Sequence, residues 1–194
     1  DDAVSLERGG LGRWVLGVHI ADVSHYVRPG SALDLEAWER GTSVYFADQV
    51  VPMLPRELSN GICSLNPRLD RLALSCVMTL TPEGEVVDHT IAKSVIRTTE
   101  RMTYEDCNAL LAHSDPALAE RYARILPMLE DMAALSRVLE GRRRRRGALE
   151  LDTRESYVVC DESGTPVDVV LRTPGISEGL IESFMLAANE TVAR

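Results

Sequence analysis

The sequence opens on Asp1-Asp2, and adjacent carboxylates at a strand edge or loop are one way to hold a hard, oxygen-seeking cation such as Mg²⁺. Two acidic residues at a chain start are more often solvated surface, and the pair alone is weak evidence for a metal site. Tyr45 lies in the stretch 41–67 (GTSVYFADQVVPMLPRELSNGICSLNP), which mixes Pro, Gly and Asn with apolar residues and has little periodicity. Loop-rich apolar segments of this kind shape sites. An aromatic ring there can stack on a nucleobase, an interaction worth about 1–3 kcal/mol per base, or it can be a core tyrosine with a bonded hydroxyl. Arg142 to Arg146 form the one basic cluster, suited either to phosphate contacts or to a solvated helix end, where cations favour the dipole and Gly147 caps. Asp70-Arg71, Tyr104 and Glu182 are ordinary in isolation. Glu182, beside an apolar helix face, is either surface or a pocket liner aimed at a hydroxyl-rich ligand. Cys63, Cys76, Cys107 and Cys160 lie far apart without metal-ligand spacing, which points to reduced thiols rather than a zinc site or disulfides.

Such residues act only if elements position them. The apolar run WVLGVHIA (14–21), bounded by Gly12 and Asp22, predicts a strand buried on both faces, and the AVSL after the acidic pair is strand-like too. LDLEAWER (33–40) has apolar residues at helical spacing and ends before Gly41, which predicts a short helix. Two β-rich runs, 72–80 and 86–96, joined by TPEGE, predict a hairpin. From Leu118 to Leu139, residues Tyr122, Ile125, Leu126, Leu129, Met132 and Leu135 recur at helical spacing, which predicts a long amphipathic helix interrupted near Pro127. A second hairpin is expected over 157–160 and 167–171, and a last helix from Ser177 to Arg194 with Leu180, Ile181, Phe184 and Met185 on one face. The expected fold class is α+β, or mixed α/β: a β-sheet core with hairpins, packed by amphipathic helices.

With 194 residues, 45% apolar and 26% charged, the chain suits one globular domain with a substantial core and is not a disordered tail. No run of about 18 apolar residues is present to span a bilayer, and no charged-then-apolar leader opens the chain, so a cytoplasmic protein without a membrane partner is expected. A formal charge of −9 argues mildly against nucleic acid, because phosphate binding draws on basic surface. A nuclease can still be acidic overall when carboxylates gather at a metal site and basic residues line one channel. The opening on Asp rather than Met, and the stop at Arg194 within a helical pattern, lead us to expect one partial domain, 1–194, cut at both ends.

Several long blocks say more than single residues. DDAV, then VHIADVSHYVRPGSALDLEAWERGTSVYF, VVPMLPRELSNGICSLNPRLDRLALSCVMTL, RMTYED, GALEL and IESFMLAANE resemble, in this order, the catalytic (RNB) domain shared by ribonuclease R and ribonuclease II. The resemblance runs over nearly the whole chain and is closer in wording to ribonuclease R. It implies a processive 3′-to-5′ exoribonuclease acting on single-stranded RNA. In that family a cluster of four aspartates, the last two adjacent and followed by Ala, binds magnesium beside the scissile phosphate. Asp1 and Asp2 match the final pair and are the expected catalytic and metal-binding residues, with Mg²⁺ as cofactor. The two earlier aspartates, and a downstream arginine and glutamate of the active centre, are not in this sequence, so the chain alone is expected not to turn over substrate.

By the same resemblance, Tyr45 matches the tyrosine that stacks on the 3′-terminal base. Its opposing partner, usually aromatic, falls at Leu151, which offers apolar contact without a π face, so the length of the end product does not carry over. Tyr104 and Glu182 match positions that contact RNA and its ribose, a means of telling RNA from DNA through the 2′-hydroxyl. The implied chemistry is hydrolytic phosphoryl transfer: metal ions held by aspartates activate a water, stabilise developing charge and release nucleoside 5′-monophosphates. The family also implies a monomer flanked by small RNA-binding β-barrels. The alternative is a homologue that binds RNA without cutting it. A third reading is a chain that does not fold alone.

Overall fold

In the computed structural model, which describes residues 2–47, 49–149, 155–161 and 163–194, a mixed order of strands and helices is seen. Strands β1 (Asp2–Arg8) and β2 (Trp14–Ala21) lead into helices α1 (Val23–Tyr26) and α2 (Ala32–Arg40). A ribbon of β3 (Val44–Tyr45) and β4 (Val50–Val51) and a π-helical turn, Glu57–Ile62, precede the long hairpin β5 (Asp70–Leu80) and β6 (Val86–Arg97). Helices α3 (Tyr104–Leu111), α4 (Pro116–Arg121) and α5 (Leu126–Arg145) follow, then the hairpin β7 (Glu155–Cys160) and β8 (Pro166–Arg172), and finally α6 (Ile176–Val192).

The central sheet has the order β1-β2-β5-β6 and is antiparallel throughout, which makes the fold α+β. Register aligns Leu6, Leu16 and Met78 across three strands, and Val4, Val18 and Cys76 beside them. Because side chains alternate along a strand, these residues share one face with Trp14 and Leu80. That face packs on Leu129, Met132, Leu135 and Leu139 of α5 and on Leu180, Phe184 and Ala188 of α6. The opposite face carries a smaller cluster, Ala21, Cys63 and Leu65 packed with Ala3, Leu58 and Ile96, which the 53–67 segment covers.

Strand β2 occupies the expected residues and is central, which explains its continuous apolar run; its covering thins at Ile20, which is 36% exposed. Helix α2 begins where the Ser31 hydroxyl accepts a bond from the Asp34 amide at 3.2 Å and stops at Gly41, whose φ of +70° suits only glycine well. The β5–β6 hairpin and the final helix also lie where periodicity puts them. The single helix expected over 118–139 is instead two. The break falls at 122–125, and Pro127 sits in the first turn of α5, where a missing N–H has no partner to lose. Helix α5 then continues through the arginines to Arg145. All four cysteines are free, and burial pushes the Cys107 thiol up to about 11. Among the described residues no helix is long and apolar enough to cross a membrane.

Polar contacts tie the sheet at both of its ends. Arg8 forms a two-pronged pair with Asp131 of α5 (2.5 and 3.0 Å) while its guanidinium lies 3.5 Å from the centre of the Trp14 ring. At the other end of the sheet, buried Asp22 accepts a bond from the Ser24 hydroxyl (2.7 Å) and pairs with Lys93 of β6 (3.1 Å). The Ser24 bond first, and Lys93 after it, hold the Asp22 carboxyl below its ordinary value against the opposing push of burial. A carboxyl depressed in the fold stabilises it above the unfolded value of about 3.9 and loses that contribution as pH falls through the lowered one. Asp22→Ala is therefore expected to destabilise by about 1–3 kcal/mol near neutral pH. Its deficit should shrink in acid below about pH 4, as urea unfolding of both proteins across that range would show.

Candidate active site

At the end of the sheet where β1 begins, a cavity of about 540 Å³ opens between the strands and helices α3, α5 and α6. Asp2 forms one wall, paired in register with Ile20, so the strand ladder fixes where its carboxylate starts. Among the described residues this carboxylate has no hydrogen-bond or ion-pair partner, and it is exposed. Tyr104 forms the facing wall at the first position of α3, which Thr103 caps by accepting from the Asp106 amide at 3.1 Å. Met128, Met132 and Leu180 supply an apolar floor.

Helix α6 is locked to α3 by polar contacts on the same wall. Asn108 accepts from the Ser177 amide (2.9 Å) and donates to Glu178 (3.1 Å), which also takes the Gly175 amide (2.9 Å). The Ser177 hydroxyl lies 3.1 Å from the Tyr104 carbonyl. Burial acts to raise the Glu178 carboxyl, but the bonds from Asn108 and the backbone outweigh it and leave the group below its ordinary value. The Gly175 to Glu178 bond is the acidic half of a capping box, a spacing legible in the sequence though not singled out there.

A second feature was hidden in the strands. Ser5, His19, Ser75 and Ser94, one from each strand of the sheet, form a hydrogen-bonded row on the face away from α5: Ser5 Oγ to His19 Nε2 at 3.4 Å, His19 Nδ1 to Ser75 Oγ at 2.7 Å, and Ser75 Oγ to Ser94 Oγ at 2.5 Å. Since Ser94 donates onward to the Ala73 carbonyl (3.2 Å), each hydroxyl's single proton fixes the direction, and His19 carries its proton on Nδ1. Burial pushes the imidazole below its ordinary value, which keeps it neutral. The ring lies over Gly17, where a Cβ would come within 2.5 Å of Ser5 Oγ and 2.7 Å of His19 Nε2. The row cross-ties β1, and His19 and Ser5 both border the cavity.

The structure thus brings together two of the residues singled out in the sequence, Asp2 and Tyr104. Tyr45 stands on β3, 77% exposed, and is not on the cavity wall. Glu182 is also outside it, turned from α6 across to Arg143 of α5 at 3.2 Å. Asp1 and Leu151 lie outside the described residues. Among those described, no group of three or more His, Cys, Asp or Glu is placed to hold a metal ion.

The antiparallel sheet, its helical cover and the acidic strand start define a class: residues 1–194 match the RNB domain, and the chain belongs to that family. Within it the chain is 56% identical over 193 residues to Ribonuclease R 1 of Lactococcus lactis subsp. lactis and 50% identical over 194 residues to Ribonuclease R of Thermotoga maritima. Both matches take in 100% of this chain but only 24% and 27% of those proteins, so the chain spans about a quarter of their length. In structure it is similar to Mycoplasma genitalium RNase R in complex with ribose methylated single-stranded RNA. The TM-score is 0.90 at 32% identity, over 99% of this chain and 30% of that one.

Proposed function

We propose that the protein carrying this chain is a 3′-to-5′ exoribonuclease. In this reading it hydrolyses single-stranded RNA processively from the 3′ end to nucleoside 5′-monophosphates, as a cytoplasmic monomer with Mg²⁺ as cofactor. One observation carries the proposal: a chain that belongs throughout to the RNB family has the acidic start of β1 and Tyr104 on the walls of one cavity. Asp2 fits the cation by donor chemistry, being an exposed hard oxygen donor, and Mg²⁺ takes one or two carboxylates and completes its shell with waters and substrate phosphates. Asp1, its neighbour in sequence, is the second candidate ligand. When bound, the cation supplies charge stabilisation at the phosphate and a more acidic water.

The remaining work falls to the chain's own residues. The neutral row through His19 holds β1, and therefore Asp2, in register. Tyr104, half-exposed at the helix start, offers a ring and a hydroxyl to the strand of RNA. The exposed Tyr45 ring is free to stack on a base, with Leu151 as an apolar counterpart. Glu182 reaches a ribose hydroxyl only by exchanging its Arg143 contact for it.

The alternative reading is a homologue that binds RNA without cutting it; the adjacent Asp1-Asp2 pair argues against it, and two further aspartates shortly upstream would favour the enzyme. One experiment separates them. The full-length protein receives a 5′-labelled single-stranded oligoribonucleotide with Mg²⁺, beside the same DNA sequence and an EDTA control. Conversion of RNA alone to one short product without a ladder is the expected result. Tight binding with no hydrolysis would replace the nuclease by the binder.

A further inference from the structure

A separate cleft of about 40 Å³ lies between the end of α5 and α6, sharing no lining residue with the cavity beside Asp2. Arg142, Arg143 and Arg146 line it from one side, and Ser183, Glu190 and Arg194 from the other. Arg146 grips Glu190 with two bonds (2.9 and 3.1 Å), Arg194 stands 3.9 Å from the same carboxylate, and Arg143 reaches Glu182 at 3.2 Å. Arg142 acts on Glu190 only through space; among the described residues it has no hydrogen bond or ion pair of its own. Four guanidiniums therefore face two carboxylates, and positive charge is left over.

Two donors of residues lining this cleft are buried and unanswered: among the described residues Arg143 Nε and Ser183 Oγ have no partner, and Ser183 is 2% exposed. Native folds rarely leave such groups unpaired, so each calls for something that accepts a hydrogen bond. The cleft exceeds the roughly 10–15 Å³ that a single water occupies, and a neutral water would leave the surplus charge uncompensated. A phosphate answers both needs, accepting several hydrogen bonds and matching the planar fork of arginine.

We propose that this cleft binds a phosphate group, with Arg142, which pairs with none of the described residues, as its cation and Ser183 Oγ and Arg143 Nε as donors. The arginine run then does more than finish a helix. The phosphate comes either from the backbone of an RNA strand or from a free phosphate in solution. This assignment does not depend on hydrolysis at Asp2.

Calorimetric titration of the full-length protein with inorganic phosphate, alongside its Arg142→Gln and Ser183→Ala variants, tests it. Both variants are expected to weaken phosphate binding, Arg142→Gln by about tenfold or more. Without phosphate, Ser183→Ala should melt at an unchanged or higher temperature, because it deletes a buried hydroxyl that has no partner. That melt separates lost binding from lost folding. A second arm measures single-stranded RNA affinity against salt. If the RNA backbone is the source, Arg142→Gln lowers the slope of log K against log salt by about one. If free phosphate is the source, that slope is unchanged while phosphate titrates. Absence of both phosphate binding and a change in slope would overturn the proposal and leave an ion-paired seam between two helices.

Discussion

Asp2→Asn in the full-length protein is expected to cut hydrolysis of single-stranded RNA by roughly a thousandfold or more while RNA binding stays within a few-fold of the parent. The substitution keeps the side chain's size and removes only its charge. Asp2 is exposed, lies opposite Ile20 in the ladder and has no partner among the described residues, so no native contact is lost with the charge. Any effect on turnover then reports what the carboxylate does for an incoming group, which in the proposed function is holding Mg²⁺. Binding should survive or tighten slightly, since a negative charge near the phosphates has been removed. Single-turnover rates and a filter-binding titration on the same preparation give both numbers. Undiminished turnover would remove Asp2 from the metal site, and parallel loss of binding would make it an RNA contact.

What could be read in the sequence depended on whether the signal was local. Strand β2 stood out because both faces are covered along most of its length, which leaves few solvent-facing residues to interrupt its apolar run, and Gly41 and Gly84 marked turns that their positive φ confirms. Helix α3 was not expected, because eight residues with an acidic first turn hold too few apolar positions for a period to emerge. Pro127 read as an interruption and is a start, since the residue suits both positions and only the packing of Tyr122 and Ile125 decides. The cavity is assembled from residue 2, the loop after β6 and three helices, and nothing local links those segments; Asp2 and Tyr104 were found by resemblance to a family, not by spacing. The row through His19 consists of single polar residues in four strands, which only register brings into line. The Arg143–Glu182 and Arg146–Glu190 pairs join segments far apart in sequence, so the sequence left the arginine run open between a solvated helix end and a phosphate contact and did not reveal its pairing with α6.

Phe184→Ala is expected to destabilise the protein by about 3–5 kcal/mol and to lower its melting temperature by about 10 °C. The ring is fully buried, and α6 presents it with Leu180 and Ala188 to both α5 and the sheet, so truncation opens a cavity where neighbours from two layers meet. Against a total stability of about 5–15 kcal/mol, one side chain then carries a large share of the folded state's margin. The consequence extends to both candidate sites, because Ser177 and Leu180 of α6 line the cavity beside Asp2 while Ser183 and Glu190 line the arginine cleft. Loosening α6 should therefore weaken RNA and phosphate binding together, whereas Asp2→Asn spares binding and Arg142→Gln spares stability. Urea unfolding with an unchanged slope but a shifted midpoint would locate the loss in the folded core. A Phe184→Ala protein within about 1 kcal/mol of the parent would mean that α6 is held by its polar ties to α3 and α5 rather than by its buried face.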